Sequence, residues 1–276
     1  MGLYRIIERN VDSKILASLE SKLTHIISSR SVRELYMTYS LLARDFGSDI
    51  FPVYEKDEDG EYLSSHNADL LEVSRIYLLS RVLEGDKEFF SDKVANIIQV
   101  ADTGELETFL KFLILLPGPE TFKETAVAAL RTNISTVFDA ITLNNPYPAK
   151  YFNDQQWNQM YLKAAFMERD LSLIHSTDQR ANEDLARIIS DYAHERWAAS
   201  RKIDPVFWRP VTKFLNSVLL SDMRRLLNSD DIRENSAAAL CCFYSENKEA
   251  FILLEEHKAL VDKIRIKELT WNTVKS

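Results

Sequence analysis

Apolar residues recur along this chain at intervals of three and four, the period of an amphipathic helix. Ile15, Leu19, Leu23, Ile26 and Ile27 share one helical face, and the polar run from Ser28 to Ser31 ends it. Ser31 with Glu34 forms a capping box for a second helix, whose Leu35, Thr38, Tyr39 and Leu42 turn to one side. Together they predict an N-terminal helical pair over residues 1–50. Residues 51–66, with Tyr54-Glu55-Lys56-Asp57-Glu58-Asp59-Gly60 at their centre, read as a solvated acidic loop. Asn67 is placed to cap a helix carrying Leu70, Leu71, Val73, Ile76, Tyr77, Leu79 and Leu83. Gly85 stands where a helix end favours positive φ. A further helix, 86–100, follows.

The apolar stretch from Thr103 to Leu116 stops at Pro117-Gly118-Pro119. Val127, Leu130, Ile134, Val137, Phe138 and Ile141 then predict one long helix from Glu120 to Leu143, broken by Asn144-Asn145-Pro146-Tyr147-Pro148. Asn153 with Gln156 caps a helix through Phe166, and Asn182 caps another through Arg201. Asp204-Pro205 starts a helix, since proline fits the first helical position. Helices over 210–227, 230–246 and 248–264 complete the pattern, with Lys263 to Lys267 continuing the last one or forming a tail. The expected fold is all-α, a multi-helix α–α superhelix or HEAT-like helical domain with little or no strand. Asp230-Asp231-Ile232-Arg233 before the small run Ser236 to Leu240 matches half of one HEAT-like repeat. Residues 67–276 form the main helical domain, and the whole chain reads as one continuous globular unit.

Composition sharpens this by exclusion. Only six of 276 residues are glycine, and none lies beyond Gly118. No GxGxxG or GxxxxGK[ST] string occurs, so no glycine loop is available to cradle phosphates. Seven prolines are too few for the turns of a β sandwich. A formal charge of −8 repels a phosphate backbone, which argues against nucleic acid as a partner. The start, MGLYRIIERN, lacks the apolar core of a signal peptide, and the longest wholly apolar run, Ala237 to Tyr244, is far short of a membrane span. The expectation is a cytoplasmic protein with no transmembrane segment. Cys241 and Cys242 are adjacent in a helical pattern, where a mutual bridge is strained, and read as buried core thiols.

Polar and aromatic residues exceed the needs of helix packing only between Arg131 and Arg209. Asn158 shares a stripe with Leu162 and Ala165, which turns its amide inward. With Asn133 it either ties helices to loop backbone or lines a polar pocket. Trp157, Trp197 and Trp208 belong to the core or stack on a planar ligand. Asp191, His194 and Glu195 fall on one helical face at i, i+3 and i+4, with Arg187 one turn earlier. They are the only candidates for catalysis, as proton-transfer groups or metal ligands. The competing reading is an ion-pair network that joins Arg187 to Asp191 and Glu195 to another arginine. No second Asp/Glu-x-x-His, no nucleophile elbow and no CxxC accompanies them, so no metal site and no cofactor is assigned.

The segment as a whole resembles the EboA family. Arg131-Thr132-Asn133, Val137 to Ile141, Asn145-Pro146-Tyr147-Pro148 with Tyr151-Phe152, and Trp157-Asn158-Gln159-Met160 with Leu162-Lys163-Ala164 carry the likeness. So do Asp178 to Asn182, Leu185-Ala186-Arg187, Asp191 to Ala199, and Trp208-Arg209-Pro210-Val211. Thr177 and Ser200 stand where the family usually has glycine. The resemblance implies a non-enzymatic accessory protein for the trafficking or export of a secondary metabolite, such as a precursor of a cyanobacterial sunscreen pigment. It would bind a small metabolite or scaffold the other products of a bacterial operon, which include a prenyltransferase-like membrane protein. The alternative is an enzyme of unknown reaction built on Asp191, His194 and Glu195. Candidate ligand-binding residues on this basis are Arg131, Asn133, Asn145, Tyr147, Tyr151, Trp157, Asn158, Lys163, Arg180, Asp191, His194, Glu195, Arg196, Trp197, Trp208 and Arg209.

Overall fold

The structure is a computed structural model that describes residues 2–48, 51–54 and 56–274, and every regular element among them is a helix. Met1, Asp49, Ile50, Glu55, Lys275 and Ser276 lie outside the described residues. The chain groups into two compact units, Met1–Ile141 and Thr142–Ser276. The all-α class read from the periodicity holds.

The first unit contains α1 (Gly2–Asn10), α2 (Ser13–Ser29), α3 (Val32–Leu41), α4 (Glu58–Ser65), α5 (Leu70–Gly85), α6 (Lys87–Ala95), α7 (Ile97–Val100), α8 (Thr103–Lys111) and α9 (Lys123–Ala129). Helix α10 (Ser135–Thr142) leads out of it. At its centre is α5, whose residues from Leu70 to Leu83 are buried except for Glu72 and Arg81, and which packs against α1, α2, α6 and α8. A helix buried so widely needs neighbours on most of its faces. The cap of α5 is Asp69 in a reciprocal box with Glu72; Asn67 instead takes a positive φ of 48° in the turn before it. Gly85 does close α5, but for a different reason than expected. Its φ is not positive, and a Cβ there would lie 2.9 Å from two carbons of Ile27.

Three other expectations change. The N-terminal region holds a further helix, α1, which buries Ile6 and Ile7. The acidic run read as loop begins a helix instead. Asp57 accepts the Gly60 N–H at 2.8 Å, and Glu58, Asp59 and Glu61 sit in the first turn of α4, where the helix dipole favours negative charge. The long helix over 120–143 is interrupted. The Thr132 hydroxyl accepts the Ile134 N–H at 3.1 Å, and this local alternative to the helical ladder separates α9 from α10.

The second unit comprises α11 (Tyr147–Tyr151), α12 (Asp154–Phe166), α13 (Thr177–Arg180), α14 (Glu183–Ala198), a 3₁₀ segment (Pro205–Lys213), α15 (Ser217–Leu227), α16 (Ile232–Tyr244), α17 (Lys248–Leu253), α18 (Lys258–Arg265) and α19 (Trp271–Val274). Asn153 and Gln156 cap α12 reciprocally, and Asn182 caps α14, as their spacing requires. Helix α14 stops at Ala198, three residues before Arg201. Ser200 takes a φ of 55°, and the Arg196 guanidinium closes the end by donating to the Lys202 carbonyl at 3.1 and 2.6 Å. The helix expected over 210–227 divides into the 3₁₀ segment and α15, which Asn216 caps. Ser236, Ala237, Ala238 and Ala239 are buried in α16 and let it approach α15 and the 3₁₀ segment closely. Cys241 and Cys242 are buried in the same helix.

Candidate functional site

Arg180, at the end of α13, organises the entry to α12. Its Nη1 donates to the carbonyls of Pro148 (3.2 Å) and Ala149 (2.7 Å), and its Nη2 to the carbonyl of Phe152 (2.9 Å) and to Asp154 (3.2 Å). The guanidinium also lies 4.9 Å from the centroid of the buried Trp157 ring. A planar fork with five N–H groups can satisfy several carbonyls at once, which a lysine ammonium cannot match. Asn158 is buried, and its amide exchanges two hydrogen bonds with Asn182, at 3.0 and 2.9 Å, while Asn182 caps Leu185. The amide thus joins α12 to the cap of α14 through a side chain, not through loop backbone. Asn145 accepts the Tyr147 N–H at 2.9 Å, and both are buried. Tyr151 packs its ring 4.7 Å from that of Tyr147. Lys163, on α12, is half-buried, and desolvation lowers its pKa.

The charged face of α14 does not assemble into one centre. Asp191 pairs with Arg187 at 3.1 Å in solvent, and Glu195 is exposed. His194 turns to a residue that its own helix does not supply. Its Nε2 lies 2.7 Å from Asp222 of α15, a buried carboxylate whose other oxygen accepts the Ser190 hydroxyl at 2.6 Å. The carboxylate stands between serine and imidazole, so the imidazole is not bonded to the hydroxyl it would have to activate. No group of three or more His, Cys, Asp or Glu side chains suited to a metal occurs among the described residues. Trp197, half-buried, is covered by the Arg225 guanidinium at 4.1 Å and stacks on the buried Trp208 at 5.6 Å.

Arg209 marks the better-formed site. It leaves the 3₁₀ segment to meet Asp178 of α13 through both carboxylate oxygens, Nε to Oδ1 at 2.7 Å and Nη2 to Oδ2 at 2.6 Å. Hydrogen bonding to Asp178 raises the pKa of the guanidinium. This pair lies in a cleft of about 490 Å³ whose other walls include Pro210, Lys213, Tyr244 and Trp271. The volume is that of ordinary small-molecule sites. Trp271 reaches the cleft because α19 packs on α16 and on the 3₁₀ segment, and its indole lies 6.0 Å from the Arg209 guanidinium.

The sequence-derived residues are therefore divided. Arg131 and Asn133 are exposed between α9 and α10, in the first unit. In the second unit Tyr147, Trp157 and Trp208 are core. Asn158, Arg196 and Arg209 line three different recesses, of about 310, 860 and 490 Å³. Lys213, Tyr244, Trp271, Asp222 and Arg225 were not anticipated. They lie outside the dense motif, and no local spacing connects them to it.

An all-helical protein with an open, aromatic-walled cleft of ligand size is what these features define. The chain belongs to the EboA family: the family described as "Metabolite traffic protein EboA" matches residues 2–212. The match extends through the N-terminal helices, beyond the segment that carries the resemblance. No curated protein and no solved structure matches the chain. No helix among the described residues is long and apolar enough to cross a membrane.

Proposed function

We propose that the protein is a non-enzymatic accessory factor in the traffic of a secondary metabolite, and that it binds that metabolite in the second unit. The observation that carries this reading is the Arg209–Asp178 cleft. Its polar floor is fixed by a bidentate ion pair, two of its walls are aromatic, and Asp178 is the single carboxylate in its lining, so it holds no carboxylate pair. The family's description as a metabolite traffic protein supports the same direction. In this reading the protein works in the cytoplasm beside the other products of its operon, a membrane-bound prenyltransferase-like protein among them, and hands its cargo on unchanged. A thermal-shift screen against small-molecule fractions from producing cells tests the binding. A raised Tm with the compound recovered intact is expected, and a fraction that the protein chemically converts overturns the reading.

One observation favours the enzyme alternative. His194 is half-exposed and hydrogen-bonded to the buried Asp222, an arrangement that orients an imidazole for proton transfer. Asp191 and Glu195 do not join it, so the alternative rests on His194. His194→Ala in a producing strain separates the two readings, since a carrier keeps its function and an enzyme loses it.

A further inference from the structure

The chemistry of the cleft limits what it can hold. Arg209 commits Nε and Nη2 to Asp178, and its Nη1 has no protein acceptor among the described residues. Lys213 lines the same cleft, is exposed, and has no carboxylate within ion-pair distance among the described residues. The lining thus carries two positive charges, Arg209 and Lys213, against one negative charge, Asp178. Two cationic donors are left for one anionic group. The remaining walls combine Ala181, Thr212 and Thr270 with three flat groups: the Pro210 ring, the Tyr244 ring, which is 54% exposed, and the Trp271 indole. An exposed tyrosine ring and a half-buried indole beside unused cationic donors suit a ligand that is flat at one end and negative at the other.

We infer that this cleft binds a planar aromatic monoanion of the arylcarboxylate class. The carboxylate engages Arg209 Nη1 and the Lys213 ammonium, and the ring system lies against Tyr244 and Trp271. A volume of about 490 Å³ admits two or three fused rings with small substituents. This names the ligand class for the carrier reading above and rests on it. Asp178 has a double part here. It holds the guanidinium in one orientation, and its own charge keeps a second anionic group out, so a dianion is disfavoured against a monoanion.

The test is calorimetry on the full chain with three probes: 2-naphthoate, its neutral amide 2-naphthamide, and decanoate, which carries the charge without the rings. The expected result is binding of 2-naphthoate roughly tenfold tighter than either of the others, about 1.4 kcal/mol. Lys213→Gln, at an exposed position where folding is not at stake, brings 2-naphthoate down to the level of the amide. Tyr244→Ser weakens both aromatic probes together. Equal affinity for acid and amide, no effect of Lys213→Gln, or no heat from 2-naphthoate overturns the inference. If 2-naphthoate fails while a cell-derived neutral or cationic compound stabilises the protein, the ligand class is wrong and the carrier reading stands. If no compound of any charge binds, the carrier reading fails with it.

Discussion

Arg209 and Asp178 stand 31 residues apart and meet through two parallel hydrogen bonds of 2.7 and 2.6 Å, joining α13 to the 3₁₀ segment at the floor of the cleft. Both groups are partly exposed, so the pair contributes only about 1 kcal/mol to stability. Its larger effect is to fix where the positive charge sits. Asp178→Asn is expected to lower stability by that amount in urea unfolding while tightening 2-naphthoate, because the lining loses its only negative charge. Arg209→Lys is expected to weaken the same probe, since a point charge cannot replace the planar fork. Loss of binding in both variants contradicts this division.

Arg180 is a structural residue. Its guanidinium satisfies the carbonyls of Ala149 and Phe152 and shares that of Pro148 with the Phe152 N–H, which reaches it at 3.0 Å. Arg180→Ala is expected to destabilise the chain by about 3 kcal/mol in urea denaturation, because several acceptors lose a charged donor at once. Arg180→Lys recovers little of that loss.

Close approach at Gly85 makes a second packing prediction. A methyl group there comes within 2.9 Å of Ile27. Gly85→Ala is expected to cost about 1–3 kcal/mol. Shortening the obstructing side chain in the double variant Gly85→Ala, Ile27→Ala restores part of the loss relative to the sum of the single changes. Additive losses in chemical denaturation contradict the proposed contact.

The thiols give a pH prediction. Burial pushes Cys242 up to about 12 from an ordinary value of 9.0, and it raises Cys241 as well. The folded chain therefore keeps protons that the unfolded chain releases. This contribution to stability is fully present below about pH 9 and falls as pH rises from there toward 12, the direction that linkage requires when the native state binds more protons. Unfolding midpoints between pH 8 and 11 are expected to decline less steeply after Cys242→Ala than in the parent chain. In native protein at pH 8 neither thiol reacts with a disulfide reagent; both react in urea.

Much of this fold was legible because helix signals are local. Asn153 and Gln156 are three residues apart, and the cap they form depends on little else. The same locality misled at Thr132, whose hydroxyl offered the backbone an alternative that apolar periodicity does not register. It misled again at Gly85, where the reason for glycine is a side chain 58 positions away in sequence. Helical spacing correctly set Asp191, His194 and Glu195 on one face, but a shared face is not a shared site. What His194 meets is Asp222, 28 residues on, and nothing in the motif indicates that distance. Trp271 escaped notice for the same reason. Its place beside Arg209 follows from how α19 packs on α16, a tertiary fact that no pattern near Trp271 encodes.

In the proposed carrier a small molecule binds beside Trp271 and leaves unchanged. The most direct measurement is ¹⁹F NMR of protein labelled with 5-fluorotryptophan, which gives one resonance for each of four tryptophans, with Trp271 assigned by Trp271→Phe. On titration with the small-molecule fraction of producing cells, the Trp271 resonance is expected to shift, with little change at buried Trp157 and Trp208 and recovery of the bound compound intact. A silent Trp271 with shifts at Trp197, next to His194, or a bound compound recovered in altered form, contradicts it.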